Sequence, residues 1–424
     1  MKRIILLALL VLPSCAPKMS RALSETQKKF QDHTGFMLYD PARRKTLAAF
    51  NSDRYFTPAS NTKILTLYTA MHTLGDSIPA LRYATRGDSL IFWGTGDPSF
   101  LNRDLFNNDK VYKFLQNSPH RLFFSQANIS TDPWGPGWAW DDFNFAFSAE
   151  RSAFPVYSNT IRIRKQADRF VWSPALFQKY VITGDSVAGN DTFTREVDSN
   201  QITFSPGKTP RPRQWELPFR TSGDLLVELL SDTLLRQVDE VNKKLPAATS
   251  TLFSLPSDSL YARMMKYSDN LIAEHLLLLV AQQLSDTLDP RIAIRYAEKN
   301  LLDGLPDRLR WVDGSGISRY NLTTPRNIVW LWEKLYQEIP RARLFPLLAT
   351  GGQAGTLKSW YAASPPFLFG KTGSLSNQIS LSGYLITKKG KVLIFCFMNG
   401  NFVAPDNEIR RNMQSMLTDI RDHY

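Results

Sequence analysis

Ser60 and Lys63 stand three residues apart in Thr57-Pro58-Ala59-Ser60-Asn61-Thr62-Lys63-Ile64-Leu65. On a helix the two side chains share a face, one turn apart. A serine hydroxyl needs a base before it can attack an acyl carbon, and a neutral lysine amine within hydrogen-bond reach is such a base. Burial disfavours the ammonium form, and so does the positive end of a helix dipole. The Ser-x-x-Lys spacing therefore supplies a nucleophile and its base. The pattern alone is weak, since chance yields it about once in a chain of this length. A second copy, Ser205-Pro206-Gly207-Lys208, is centred on a turn dipeptide and cannot lie inside a helix. Ser60 is equally readable as an ordinary helix N-cap.

Two further motifs shift the balance. Ser268-Asp269-Asn270 falls between two helical patterns, and Lys371-Thr372-Gly373 follows the apolar run Phe367-Leu368-Phe369-Gly370 on a strand. Amide cleavage requires a nucleophile, a base, a proton for the leaving nitrogen and donors for the oxyanion. Ser60 and Lys63 supply the first two, and Ser268 can relay the proton. Asn270 can hold a substrate amide. Lys371 keeps the site positive, which lowers neighbouring pKa values and attracts a substrate carboxylate, and Thr372 can hydrogen-bond that carboxylate. The strand itself can pair with an extended peptide, with Gly373 permitting close approach.

The elements that must position these groups are legible in part. Pro58 sits ahead of a first helical turn. Ile64, Leu65, Leu67, Tyr68 and Met71 then supply an apolar stripe, in a helix ending near Gly75. Residues 16–24 read as a polar tether and 24–33 as a short helix capped by Ser24. Residues 35–39 and 45–50 alternate as a hairpin. From 81 to 250 turn signals are frequent and helical periodicity is poor, with strands at 89–93, 159–164, 169–173, 180–183 and 201–204. Helices return at 258–266, 271–284, 292–300 and 325–338. Strands follow at 368–373, 379–387 and 391–399, then a helix at 406–421. Strands at both ends of the chain flank a helical middle. The expectation is an α/β domain with an antiparallel sheet flanked by helices, discontinuous in sequence (16–80 and 251–424), interrupted by a mostly β insertion over 81–250.

Composition limits the partners. The chain has 424 residues, 43% of them hydrophobic and 12% aromatic, ample for packed cores. Its formal net charge of +12 suits anionic surfaces: nucleic acid, membrane lipid or an acidic cell-wall polymer. No long Lys/Arg run stands out, so nucleic acid is set aside. Met1-Lys2-Arg3 and the short apolar run 4–12 lead to Leu12-Pro13-Ser14-Cys15, which resembles a bacterial lipoprotein signal over 1–15 with Cys15 as the lipidated residue. An ordinary secretory signal is the alternative, and both export the protein. Ala16 is not acidic, which points to the outer membrane, with the chain facing the periplasm. The other cysteine, Cys396, lies in an apolar strand and reads as a buried small hydrophobe. The five histidines are scattered, with His275 reading as packed. No metal site and no cofactor is expected.

Together the motifs resemble the penicillin-binding proteins of the D-alanyl-D-alanine carboxypeptidase/endopeptidase type, peptidase family S13 (low-molecular-mass class C). The likeness covers nearly the whole mature chain and includes Gly96-Asp97-Pro98-Ser99, Trp138-Ala139-Trp140-Asp141-Asp142, Asp313-Gly314-Ser315-Gly316-Ile317-Ser318-Arg319, Gly355-Thr356-Leu357 and Ser380-Leu381-Ser382-Gly383-Tyr384. The resemblance implies a β-lactamase/transpeptidase-like fold and hydrolysis of peptidoglycan stem peptides through an acyl-Ser60 intermediate. It also implies an oxyanion hole from the N–H groups of Ser60 and Ser374, and acylation by β-lactams. From the residues themselves, Asp141 or Asp142 could bind the free amine of a diamino acid in the stem; a capped turn is the plain alternative. Rival functions are a serine β-lactamase, for which no deacylating base is identifiable, and a non-catalytic envelope receptor, which would be expected to have lost Lys63 or Lys371.

Overall fold

The computed structural model describes residues 15–102, 106–166, 169–209, 211 and 213–424. The export signal therefore lies outside the described residues, and Cys15 enters only as the first residue of a helix.

The fold is organised by a six-stranded sheet made from β1 (His33–Asp40), β2 (Lys45–Phe50), β3 (Ala349–Thr350), β4 (Leu368–Leu375), β5 (Gln378–Ile386) and β6 (Val392–Gly400), in the order β3-β4-β5-β6-β1-β2. Every neighbouring pair is antiparallel. β1 pairs with β6, so the first strand of the chain closes on the last. The α/β architecture with a discontinuous antiparallel sheet is the one expected.

β6 is buried over almost its whole length because helices cover both faces of the sheet. The strand period of two sorts its side chains. Leu393, Phe395 and Phe397 pack with α1 (Cys15–Phe30) and α6 (Asp406–His423). Ile394, Cys396 and Met398 pack on the other side with α2 (Lys63–Thr73), α3 (Ser257–Tyr267), α4 (Asn270–Ser285) and α5 (Pro325–Glu338). α4 runs through the middle of that layer, buried from Leu271 to Gln282. A helix apolar on every side belongs in such a place. Cys396 is fully buried, as its strand context suggested.

One expectation fails at the start of the chain. Residues 16–24 are not a tether, because α1 is a single helix of 16 residues. Met19, Leu23 and Phe30 are buried against the sheet, while Arg21, Glu25, Lys28 and Lys29 face outward. The sparse apolar face, set among charges, hid the period. Ser24 lies within this helix and caps nothing.

The middle of the chain builds three smaller sheets. One has five strands, ordered Val238–Glu240, Arg121–Ser125, Ser89–Gly94, Ser77–Arg86 and Ser250–Pro256; two have three strands each. Helices Lys110–Gln116 and Gly223–Leu234 also lie here, hidden in the sequence by surrounding turn residues.

The helical character of residues 15–30 is testable. Leu23→Ala should lower the unfolding free energy by about 3 kcal/mol in urea titrations, the usual cost of a buried leucine truncation. Ser24→Ala should leave it unchanged or raise it by a few tenths, where loss of an N-cap would cost about 1 kcal/mol.

Candidate active site

Ser60 does not open an α-helix. It sits in a 3-10 turn, Ala59–Thr62, and α2 begins at Lys63. Ala59 has φ +49°, a left-handed conformation that costs energy for a residue with a Cβ and persists only where its surroundings impose it. The surroundings are the sheet. Asn61 donates from Nδ2 to Ser380 Oγ at 2.6 Å and to the Lys371 carbonyl at 3.3 Å. Its Oδ1 accepts from Ser382 Oγ. Ser380 Oγ donates to the Pro58 carbonyl at 2.8 Å. The turn is thus laced to β4 and β5, and the N-cap alternative for Ser60 falls away.

Lys63 has no exposed surface, and its Nζ donates to Ser60 Oγ at 2.9 Å, Asn270 Oδ1 at 2.6 Å and the Ser315 carbonyl at 2.6 Å. Burial pulls its pKa down to about 8, against the opposing pull of Asp313, Glu274 and Asp269. Lys371 is buried too, and its Nζ donates to Ser268 Oγ at 2.8 Å and to the Thr372 carbonyl at 2.7 Å. Burial, then the nearby Lys63, holds it well below the ordinary lysine range. Ser268 ends α3 at φ +62°, and Asp269 caps α4 by accepting from Ile272 N–H at 3.1 Å. Three segments far apart in sequence therefore meet around two amines and two hydroxyls. Because Ser268 accepts from Lys371, its own proton is free for donation elsewhere.

Some side chains are engaged differently from the expectation. Asn270 spends Oδ1 on Lys63 and one Nδ2 proton on the Phe147 carbonyl, at 3.0 Å, so a substrate amide has only its remaining proton and lone pair. Lys371 shares a dry pocket with Lys63, so each disfavours charge on the other, and it is a poorer fixed cation than expected. Thr372 donates to Thr356 Oγ1 at 2.7 Å. Ser374 is exposed, and its Oγ accepts from Arg410 at 2.7 Å. Gly373 is needed for the protein's own packing: a Cβ there would overlap Ser380 Oγ and come within 2.7 Å of the Pro58 carbonyl. Beyond β3, which meets only Gly370 and Phe369, residues 371–375 of β4 present an open edge among the described residues.

Asp142 lies on a short turn, Trp140–Asn144, half-buried, with its pKa raised by burial and then by Asp141, and Arg319 opposing. The same segment reaches the site through Phe147 and, upstream, through Trp138, whose Nε1 donates to Asp313 Oδ2 at 2.9 Å. His275 is packed: Nδ1 donates to the Gly96 carbonyl at 2.7 Å, and burial pulls its pKa down to about 4.

The model of the D-Ala-D-Ala carboxypeptidase 3 (S13) family matches residues 18–423. The chain belongs to this family. It is accordingly an enzyme, a serine-type D-Ala-D-Ala carboxypeptidase. It is 22% identical over 409 residues to D-alanyl-D-alanine carboxypeptidase DacB of Haemophilus influenzae, covering 87% of this chain and 85% of that one. The crystal structure of penicillin binding protein 4 (DacB) from that organism matches with a TM-score of 0.78 at 18% identity, over 95% of this chain and 99% of that one. Bd3459, a predatory peptidoglycan endopeptidase from Bdellovibrio bacteriovorus, matches with a TM-score of 0.51 at 13% identity, over 92% and 93%. At such identities the structural likenesses establish the shared fold.

Within this S13 chain, Arg151 and Glu274 lie outside every motif, and Ser315 stands in one without a role. Glu274 had a signal, since it lies four residues after Asn270 and so on the same helix face. Asn61 sat inside the first motif unassigned.

The packing role of Gly373 carries a prediction. Gly373→Ala should slow acylation of Ser60 by about 100-fold, the scale expected when reacting groups shift by an ångström. Rapid-quench acylation kinetics would check it.

Proposed function

We propose that the enzyme cleaves D-Ala-D-Ala-type bonds in peptidoglycan stem peptides through a covalent acyl-Ser60 intermediate. The observation that carries this reading is the fully buried Lys63 amine 2.9 Å from Ser60 Oγ. Lys63 takes the Ser60 proton as the hydroxyl attacks the carbonyl carbon. The oxyanion falls to the N–H groups of Ser60 and Ser374, as in the family. The tetrahedral intermediate collapses, the C–N bond breaks, and Ser268 relays to the leaving nitrogen the proton that Lys63 took from Ser60, which leaves Lys63 neutral again. Water then hydrolyses the ester. The peptide pairs as an added strand along the open edge of β4, near the Thr372 hydroxyl. If the bond cleaved is terminal the product is free D-alanine, and if it is a cross-link the same chemistry is endopeptidase activity.

Asp142 is assigned to a free amine on the stem peptide. Supporting this are its place on the segment that meets Asn270, its partial exposure, and the exposed Trp140 beside it. Cys15 is assigned as a lipid anchor on the periplasmic side of a bacterial outer membrane. The motif before it and the net charge of +12 support that assignment.

Intact-mass analysis with benzylpenicillin tests the central reading. One penicilloyl adduct should appear on the wild type and none on Ser60→Ala. Rapid drug turnover without an adduct would favour a β-lactamase, and neither adduct nor turnover would favour a receptor. For the amine site, Asp142→Asn should raise KM about tenfold for stems with a free side-chain amine and leave amidated stems unchanged. An equal effect on both would remove Asp142 from recognition.

A further inference from the structure

Behind Lys63 lies a buried charged pair that takes no direct part in the chemistry above. Arg151 comes from the middle region of the chain and Glu274 from α4, and both are almost wholly excluded from water. Arg151 donates from Nε and Nη2 to Glu274 Oε2 at 3.0 and 2.6 Å. The other carboxylate oxygen, Oε1, accepts the Ser315 N–H at 2.7 Å. The carbonyl of that same Ser315 accepts from Lys63 Nζ at 2.6 Å. Hydrogen bonds on either side of Ser315 thus join the guanidinium of one region, through that residue's backbone, to the amine at the centre of the other.

The loop that carries Ser315 has little freedom. A Cβ on Gly314 would overlap the Ala273 carbonyl, and one on Gly316 the Ala59 carbonyl. Thr66 Oγ1 donates to the Gly314 carbonyl at 2.8 Å. Asp313 accepts from Gly316 N and Asn321 Nδ2 on one oxygen and from Ser318 N and Trp138 Nε1 on the other. The loop is wedged between the Ser60 turn and α4, and Glu274 pins its centre.

We propose that the Arg151–Glu274 pair is a positioning device for Lys63, through which the middle region sets the place and the proton affinity of the general base. The proposal rests on Lys63 being that base. The carboxylate attracts an ammonium at Lys63, and the guanidinium cancels part of that attraction. Burial pushes Glu274 up, but Arg151 and the Ser315 N–H outweigh it and hold it ionised. The other charged or titratable groups facing this cluster, among the described residues, are Lys371 from β4, Asp269 at the start of α4, Asp313 from the loop, and His275 beside Glu274.

The signs are opposite for the two partners. The acid limb of acylation follows deprotonation of Lys63. Arg151→Met leaves the carboxylate uncompensated, which favours the ammonium and moves the limb to higher pH. Glu274→Gln leaves the guanidinium uncompensated and moves it to lower pH.

The experiment is the second-order rate of Ser60 acylation by a fluorescent penicillin on the full chain, from about pH 6 to about pH 10, with melts to confirm folding. Expected shifts are about one pH unit in opposite directions, or about tenfold in rate at fixed pH on the limb. Limbs that stay in place, or move the same way, would overturn the proposal, and either single variant that folds suffices. If neither folds, the double variant Arg151→Met/Glu274→Met is measured. It should keep the limb while its plateau falls about tenfold, because Ser315 has lost its acceptor; an unchanged plateau would overturn the proposal. A wild type without a Ser60 adduct would instead remove the base assignment beneath it.

Discussion

A lysine amine withdrawn from water beside a serine hydroxyl is a costly thing to build, and much of this fold is arranged around it. Bringing Lys63 from an ordinary value of 10.5 to about 8 corresponds to about 3 kcal/mol of bias against its ammonium form. That bias brings the amine's titration close to physiological pH, so that a usable fraction of it is the neutral base. It demands a dry pocket, and a dry pocket demands that every polar atom inside it be paired. Ser60, Asn270 and the Ser315 carbonyl meet that demand at Lys63. Ser268 and the Thr372 carbonyl meet it at Lys371. Two amines in one pocket also repel each other's protons, and Lys63 adds to the burial that holds Lys371 well below the ordinary lysine range.

The nucleophile is held by the sheet more than by its own helix. A 3-10 turn with a left-handed alanine would not persist in an isolated segment. It persists because Asn61 reaches across to β4 and β5, because Ser380 accepts from Asn61 while donating to Pro58, and because Gly373 leaves room for the turn to press against the strand. Those strands belong to a sheet completed by β1, from the beginning of the chain. Order in the Ser60 turn therefore depends on contacts some three hundred residues away.

The middle region closes the far side of the site. It contributes the Phe147 carbonyl to Asn270, the Trp138 indole to Asp313 and the Arg151 guanidinium to Glu274. Each contact ends on a residue within one or two bonds of the reactive amine or of the loop that holds it. A region that reads in sequence as a separate β-rich insertion thus makes direct contacts with the residues around the reactive amine of the α/β core.

Residue identity and spacing already determined a good deal. Ser60-x-x-Lys63, Ser268-x-Asn270 and Lys371-Thr372-Gly373 announced the acyl-transfer chemistry, because few other combinations place a nucleophile, a base and a proton relay in one chain. Short apolar runs such as Phe367-Leu368-Phe369 made the last three strands legible, and α4 and α5 were equally clear from their apolar patterns. Only the tertiary structure decided the rest. Helix α1 was obscured because the buried apolar side chains Met19, Leu23 and Phe30, set among charges, leave too faint a period. Gly373 is also required by its packing against Ser380 and Pro58, which no local pattern reveals. Asn270 keeps one proton and one lone pair for an amide, and only the fold shows that Lys63 and Phe147 engage the rest. Arg151 and Glu274, 123 residues apart, carry no joint sequence signal at all. Local patterns report what a residue can do; burial and pairing across long separations decide which of those capacities is used, since desolvation depends on the whole packed interior.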